Sequence, residues 1–132
     1  MKNYISSLLL LLITTGVLAK IPEDERENFI TKKLQDQPNL IAFYIPGIIC
    51  ASCSIGLSIH IGKIDGIDKA KLEKGVELNL KNQVLFIASK IESSVLINQV
   101  KNAIEKAGYE PSLWYKWHEN SLITHSFKNN IQ

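Results

Sequence analysis

The chain has 132 residues, with 15 basic and 13 acidic side chains and two cysteines. This length predicts one small domain with extensions at its ends. The near balance of charge argues against a nucleic-acid partner, which requires a concentrated basic surface, and against purely electrostatic membrane binding. The function must therefore be sought in local motifs.

Residues 1–19 have the pattern of an export signal peptide. Lys2 supplies the positive start, residues 5–13 form an apolar stretch, and residues 17–19 form a small-residue cleavage site. The apolar run is interrupted at residues 14–16, so it falls short of the roughly 20 apolar residues of a membrane-spanning helix. We therefore expect cleavage after Ala19 and a periplasmic location.

Residues 20–38 predict an N-terminal helical extension. Pro22 precedes three acidic residues, which is typical of a helix start, and Pro38 ends the pattern. The apolar stripe is thin and consists of Phe29, Ile30 and Leu34. This composition favours a solvated spacer helix over a helix that docks a partner.

Residues 39–117 predict one α+β domain with the order β-α-β-β-α-β. Strands are predicted at residues 40–45, 70–80, 84–88 and 113–117, and helices at residues 52–63 and 92–107. Lys74-Gly75 suggests a bulge in the second strand. The order predicts a ferredoxin-like fold, a four-stranded antiparallel sheet with both helices on one face. Residues 118–132 are polar and are expected to form a flexible C-terminal tail.

Cys50 and Cys53 are the only cysteines, and they lie where the first strand gives way to a helix. A helix start stabilises thiolate, and two thiolates select soft ions such as Cu(I) or Hg(II). A disulfide closing so short a loop would stabilise the fold little. Zinc requires three or four ligands, and no neighbouring ligand cluster is visible. The pair therefore predicts a transferable soft-metal site.

Several residues around this pair match a known pattern. They are a glycine ahead of the cysteines, an apolar helix stripe, and two glycine-containing turns: Gly47, Leu57, Ile61, Ile64, Gly66-Ile67, Ala103-Ile104 and Gly108-Tyr109. Residues 40–117 thus resemble a heavy-metal-associated domain, the module of periplasmic mercuric-ion binding proteins, copper chaperones and the N-terminal regions of metal-pumping ATPases. The resemblance implies that Cys50 and Cys53 bind the ion and that a membrane metal transporter receives it. It also implies a monomer when metal-free and no enzymatic activity.

The loop departs from the family pattern at two positions. Ile48 and Ile49 stand where the family has methionine and threonine. Ile48 has nearly the volume of methionine and can anchor the loop in the core, whereas Ile49 makes the rim more apolar, so the choice of ion stays open. Tyr109 is expected at the same edge as the cysteines, either shielding the metal or simply packing there.

The three histidines are expected to lie away from the metal. His60 follows Cys53 by about two helical turns, or roughly 10 Å, on the predicted core-facing side. It is therefore expected to be partly buried and structural. His118 and His125 fall in the predicted tail, where accessory metal binding has little support.

Two other functions use the same cysteines. One is a thiol–disulfide oxidoreductase, although Pro111 is the only proline that follows the pair and the thioredoxin layer pattern is absent. The other is a domain with a permanently closed disulfide whose surface binds a protein. Reduction potential and free-thiol counting would separate these two from a metal carrier.

Overall fold

The computed structural model describes residues 21–91 and 93–128. Its elements are α1 (Glu23–Asp36), β1 (Leu40–Tyr44), α2 (Ala51–Gly62), β2 (Val76–Asn79), β3 (Val84–Ala88), α3 (Ser94–Lys106), β4 (Leu113–His118) and β5 (Ser121–Ser126). The sheet has the order β2-β3-β1-β4-β5, and all neighbouring strands are antiparallel. The predicted β-α-β-β-α-β order is confirmed over β1 to β4. The predicted export signal lies outside the described residues.

Helices α2 and α3 cover one face of the sheet, as predicted. Their apolar residues recur every three or four positions, which places them on one side of each helix. The buried members are Leu57, Ile61, Leu96, Ile97, Val100 and Ile104. They pack with Ile41, Phe43, Leu85 and Ile87 from the central strands. The Ser93 hydroxyl accepts a hydrogen bond from the backbone N–H of Leu96 and so caps α3.

Helix α1 covers the opposite face, so the expectation of a solvated spacer is wrong. Ile30 and Leu34 are completely buried. They share a second apolar cluster with residues of β1, β3 and β4, namely Leu40, Ala42, Val84, Phe86, Ala88 and Tyr115. The physical reason lies in the sheet, because β1 and β3 are apolar on both faces and both faces must be covered. The fold therefore has three layers.

The C-terminal segment forms a fifth strand, so the expected four-stranded sheet is wrong. Strand β5 pairs with β4 along its whole length, from Leu113↔Ser126 to His118↔Ser121. The turn consists of Glu119 and Asn120, both with positive φ, which suits the twist of a two-residue hairpin. Residues 121–126, expected to be a flexible tail, are thus part of the sheet.

The strand predicted over residues 70–80 is shorter than expected, because only Val76–Asn79 is extended in the sheet. Gly75 ends the preceding turn with φ +88°, and a Cβ at this position would collide with the side chain of Ile67. Gly75 therefore allows the chain to pass close to Ile67 and enter β2. Lys74-Gly75 forms this turn, with a bridge between Glu73 and Val76.

Within the described residues, no helix combines the length and apolar character needed to cross a membrane.

Candidate metal centre

Cys50 and Cys53 lie at the N-terminal end of α2. Cys50 is the N-cap residue, with φ −99° and ψ 122°, and its carbonyl accepts the backbone N–H of Ser54 at 3.2 Å. Cys53 lies in the first helical turn and is exposed, whereas Cys50 is half-buried, and both are free thiols. The N–H groups of the first turn point toward this end of the helix and favour a negative charge there.

Gly47 and Ile48 position the loop that leads to the cysteines. Gly47 adopts φ +86°, a conformation that L side chains rarely adopt, so the chain can leave β1 in a tight turn. Ile48 is completely buried in the cluster beneath α2 and α3. Its predicted anchoring role is confirmed. Ile49 is 70% exposed and gives the loop an apolar outer rim.

Hydrogen bonds to the Cys50 sulfur stabilise its thiolate. They lower the pKa of Cys50 from 9.0 to about 7, chiefly through the Cys53 thiol and next through the Ser52 hydroxyl. The Sγ of Cys50 lies 3.0 Å from the Oγ of Ser52. A thiol with a pKa near 7 is substantially ionised at neutral pH, and thiolate is the form that binds metal or attacks disulfides.

Tyr109 lies beside Cys53, as predicted from its position after α3. A hydrogen bond with Cys53 is the main reason that the pKa of Tyr109 is raised above 10.0. The ring is half-buried and packs against the cluster under α2 and α3. Tyr109 therefore packs in the fold and also interacts with Cys53.

The histidines lie away from this pair. His60 is exposed, which corrects the expectation of a partly buried residue, and it lines a cleft of about 360 Å³ between α2 and α3. It lies one position before the buried Ile61, on the part of α2 that turns toward this open cleft. His118 is exposed, with its Nε2 at 3.6 Å from a Glu119 carboxylate oxygen. His125 stacks on Trp114 with ring centroids 4.0 Å apart.

No group of three or more histidine, cysteine, aspartate or glutamate residues in the described part of the chain is arranged to hold a metal ion. The cysteine pair is thus a two-thiol site with room for an incoming ligand beside the exposed Cys53. Sequence reasoning missed Ser52. A hydroxyl two residues after an N-cap cysteine is the local pattern that would have indicated its hydrogen bond to the thiol.

Comparison with known proteins gives a structural similarity. No family model matches the chain, and no curated protein matches it significantly. Among solved structures, the chain is similar to the solution structure of the N-terminal domain of ZntA in the apo form. The TM-score is 0.44 and the sequence identity 18%, over 67% of this chain and 93% of that one. At this level of similarity the function must be argued from the site itself.

Proposed function

We propose that this chain is an exported protein that binds one soft metal ion, Cu(I) or Hg(II), between the thiolates of Cys50 and Cys53. In this proposal it passes the ion to a membrane transporter by ligand exchange and catalyses no reaction of its own. The observation that carries the proposal is the free thiol pair at the start of α2, with Cys53 exposed and the pKa of Cys50 lowered to about 7.

The donor set supports a soft ion. Two thiolates satisfy the low coordination numbers that Cu(I) and Hg(II) accept, and soft sulfur ligands favour these ions. Zinc prefers three or four protein ligands, and the described residues offer no histidine or carboxylate that completes such a set with the cysteines. Ile49, which is 70% exposed, also makes the outer rim of the loop apolar.

The exposure of Cys53 supports transfer. An incoming thiolate of a transporter can add to the ion from the open side, and Cys53 or Cys50 can then leave. Such an exchange needs no unfolding, since the loop is held by the buried Ile48 and the thiols lie outside the core. Location in the periplasm rests on the export-signal pattern of residues 1–19.

The test is competitive metal binding by the reduced mature chain, residues 20–132, under anaerobic conditions. We expect about one Cu(I) or Hg(II) per chain, and weak binding of Zn(II). Cys50→Ser and Cys53→Ser should each lower the affinity by more than about 100-fold, because a single thiolate remains. Ser58→Ala, on the same helix, is the matched control and should bind as the wild type does. Undiminished affinity in both cysteine variants would refute the proposal.

The lowered pKa of Cys50 also favours a second candidate, thiol–disulfide exchange. Exchange requires a thiolate near neutral pH and an accessible sulfur, and the pair offers both. A reduction potential between about −270 and −120 mV, together with turnover on a disulfide substrate, would support this function. Absence of turnover, combined with tight Cu(I) or Hg(II) binding, would support the carrier.

A further inference from the structure

Arg26 of α1 is a buried cation with an unpaired donor among the described residues. The residue is 5% exposed. Its Nη2 donates to the Tyr115 hydroxyl at 3.4 Å, and its Nε is buried without a hydrogen-bond partner. A guanidinium has five N–H donors, and among the described residues its side-chain hydrogen bonding consists of this one long bond. Buried polar groups are normally paired, and this exception requires an explanation.

The charge of Arg26 is also poorly neutralised. The only carboxylate paired with it in the described chain is that of Glu23, at 4.0 Å, and the Glu23 side chain is 69% exposed. An ion pair of this length with an exposed partner contributes little. The guanidinium lies over the Tyr44 ring, 3.7 Å from the centroid, which holds it in place without supplying a negative charge. A buried cation in this position favours an anionic partner from outside the chain.

A cleft at the N-terminal end of α1 gives such a partner access. Its volume is about 390 Å³, and its lining includes Glu23, Arg26, Tyr44, Ser112 and Leu113. Helix α1 begins after Pro22 without a side-chain cap. Its first N–H groups and the positive end of its dipole can therefore interact with an anion in the cleft. The buried guanidinium and the uncapped helix start both favour an anionic ligand.

The surrounding charges and apolar groups narrow the class of anion. Glu23, Asp24 and Glu25 occupy the first turn of α1 and are exposed, so they oppose a multiply charged ligand. A single carboxylate has less charge to repel and matches the fork of a guanidinium with two parallel hydrogen bonds. The Tyr44 ring and Leu113 offer apolar contact for the rest of the molecule.

We propose that this cleft binds the carboxylate group of a small, partly apolar organic acid, with Arg26 as the charged anchor. The site lies at the end of β1 that leads to the cysteine loop, but on the α1 face of the sheet. It uses neither cysteine, so its occupancy is independent of the proposed metal site.

The test is an NMR titration of the reduced, metal-free mature chain at pH 7 and constant ionic strength. Benzoate is the probe, and benzamide is its uncharged counterpart of nearly equal shape. We expect saturable shifts of the backbone amides of residues 23–26, 112 and 113 with benzoate and none with benzamide. Equal responses to the two compounds, or no saturable response to benzoate, would overturn the proposal. Tighter binding of inorganic phosphate than of benzoate would also overturn it, since the site is assigned to a single carboxylate.

Two variants examine the role of Arg26. Arg26→Gln should weaken benzoate binding by about tenfold or more, because the positive charge and its charge-assisted hydrogen bond are lost. Glu23→Gln should strengthen it by about two- to fivefold, because a competing carboxylate is removed. Glu23 is exposed, so its variant should fold even if Arg26→Gln does not. Unchanged benzoate affinity in a folded Arg26→Gln variant, or weaker binding in Glu23→Gln, would show that the guanidinium only packs α1 onto Tyr44 and would overturn the proposal.

Discussion

The two faces of the sheet differ in where their polar functional groups lie relative to the apolar layer. On the α2 and α3 face, the apolar residues are buried and the reactive thiols lie outside them, at a helix end. On the α1 face, the charged group itself, Arg26, lies within the layer, against Tyr44 and Tyr115. Exposed thiols suit the exchange of a ligand between partners. A buried guanidinium suits a fixed contact with its neighbours or with a bound ligand. Variants on each face test this difference.

The largest effect on stability is expected from Leu34→Ala on the α1 face. Leu34 is completely buried, so its truncation should lower the free energy of unfolding by about 2–5 kcal/mol. Urea denaturation of the mature chain measures this change. Lys32→Ala, on the exposed side of the same helix, should change the free energy by less than about 0.5 kcal/mol. If Leu34→Ala costs no more than this control, α1 does not stabilise the sheet.

A smaller loss of stability is expected from a substitution at Phe127, directly after β5. The Phe127 ring stacks on Phe43 with centroids 6.3 Å apart and packs against the cluster under α2 and α3. Phe127→Ala should therefore cost about 1–3 kcal/mol, because the ring is half-buried. Lys128→Ala, at the exposed neighbouring position, is the control in the same denaturation experiment. Equal stability of the two variants would mean that residues after β5 behave as the flexible tail first expected.

The effect of Cys53 on the pKa of Cys50 should be visible in the pH dependence of Cys50 alkylation. The Cys53 thiol is the main reason for the low pKa of Cys50, so Cys53→Ala should raise that pKa from about 7 toward 9.0. The half-maximal rate of Cys50 alkylation by iodoacetamide, followed by mass spectrometry, should then move to higher pH by about one unit. Ser52→Ala should shift it in the same direction by less, since Ser52 is the second cause. An unchanged midpoint in Cys53→Ala would contradict this account.

The smallest effect is expected at the ion pair that joins α1 to the edge strand β2. The Lys33 Nζ lies 2.9 Å from a Glu77 carboxylate oxygen, and both side chains are partly exposed. Glu77→Gln should cost no more than about 1 kcal/mol and should lose its effect at high salt. A double-mutant cycle with Lys33→Met isolates the pair, and the Lys101–Glu105 pair within α3 provides a comparison at 3.3 Å. A coupling energy well above about 1 kcal/mol would show that the pair stabilises the fold more than an exposed ion pair normally does.

Most of the central domain could be predicted because its patterns are local. Leu57 and Ile61 mark the buried side of α2, and Ser93 marks the start of α3. The placement of the cysteine pair at a helix start was predictable for the same reason, since Cys50, Cys53 and Ile48 lie within six consecutive residues. Ser52 was missed because its hydrogen bond depends on the N-cap geometry of Cys50 as well as on residue type.

The predictions for α1 and β5 were wrong because the burial and pairing of these segments depend on residues that are far apart in the chain. The stripe of Ile30 and Leu34 is too thin to indicate a core helix until the apolar outer face of β1 and β3 is placed against it. Strand β5 lacks a glycine in its turn and is largely polar, so its pairing with β4 was not visible in its own pattern.

The sequence by itself determined the order of β1 to β4 and the position of the thiol pair, because periodicity, turn residues and motif spacing act over short stretches. The packed fold was needed to show that α1 is a layer of the fold, that β5 completes the sheet and that Arg26 contacts Tyr115, 89 positions away. These features follow from how apolar surfaces and charges are brought together from distant segments. Such contacts depend on the whole packed fold, since the cost of burying each group is set by its neighbours in space.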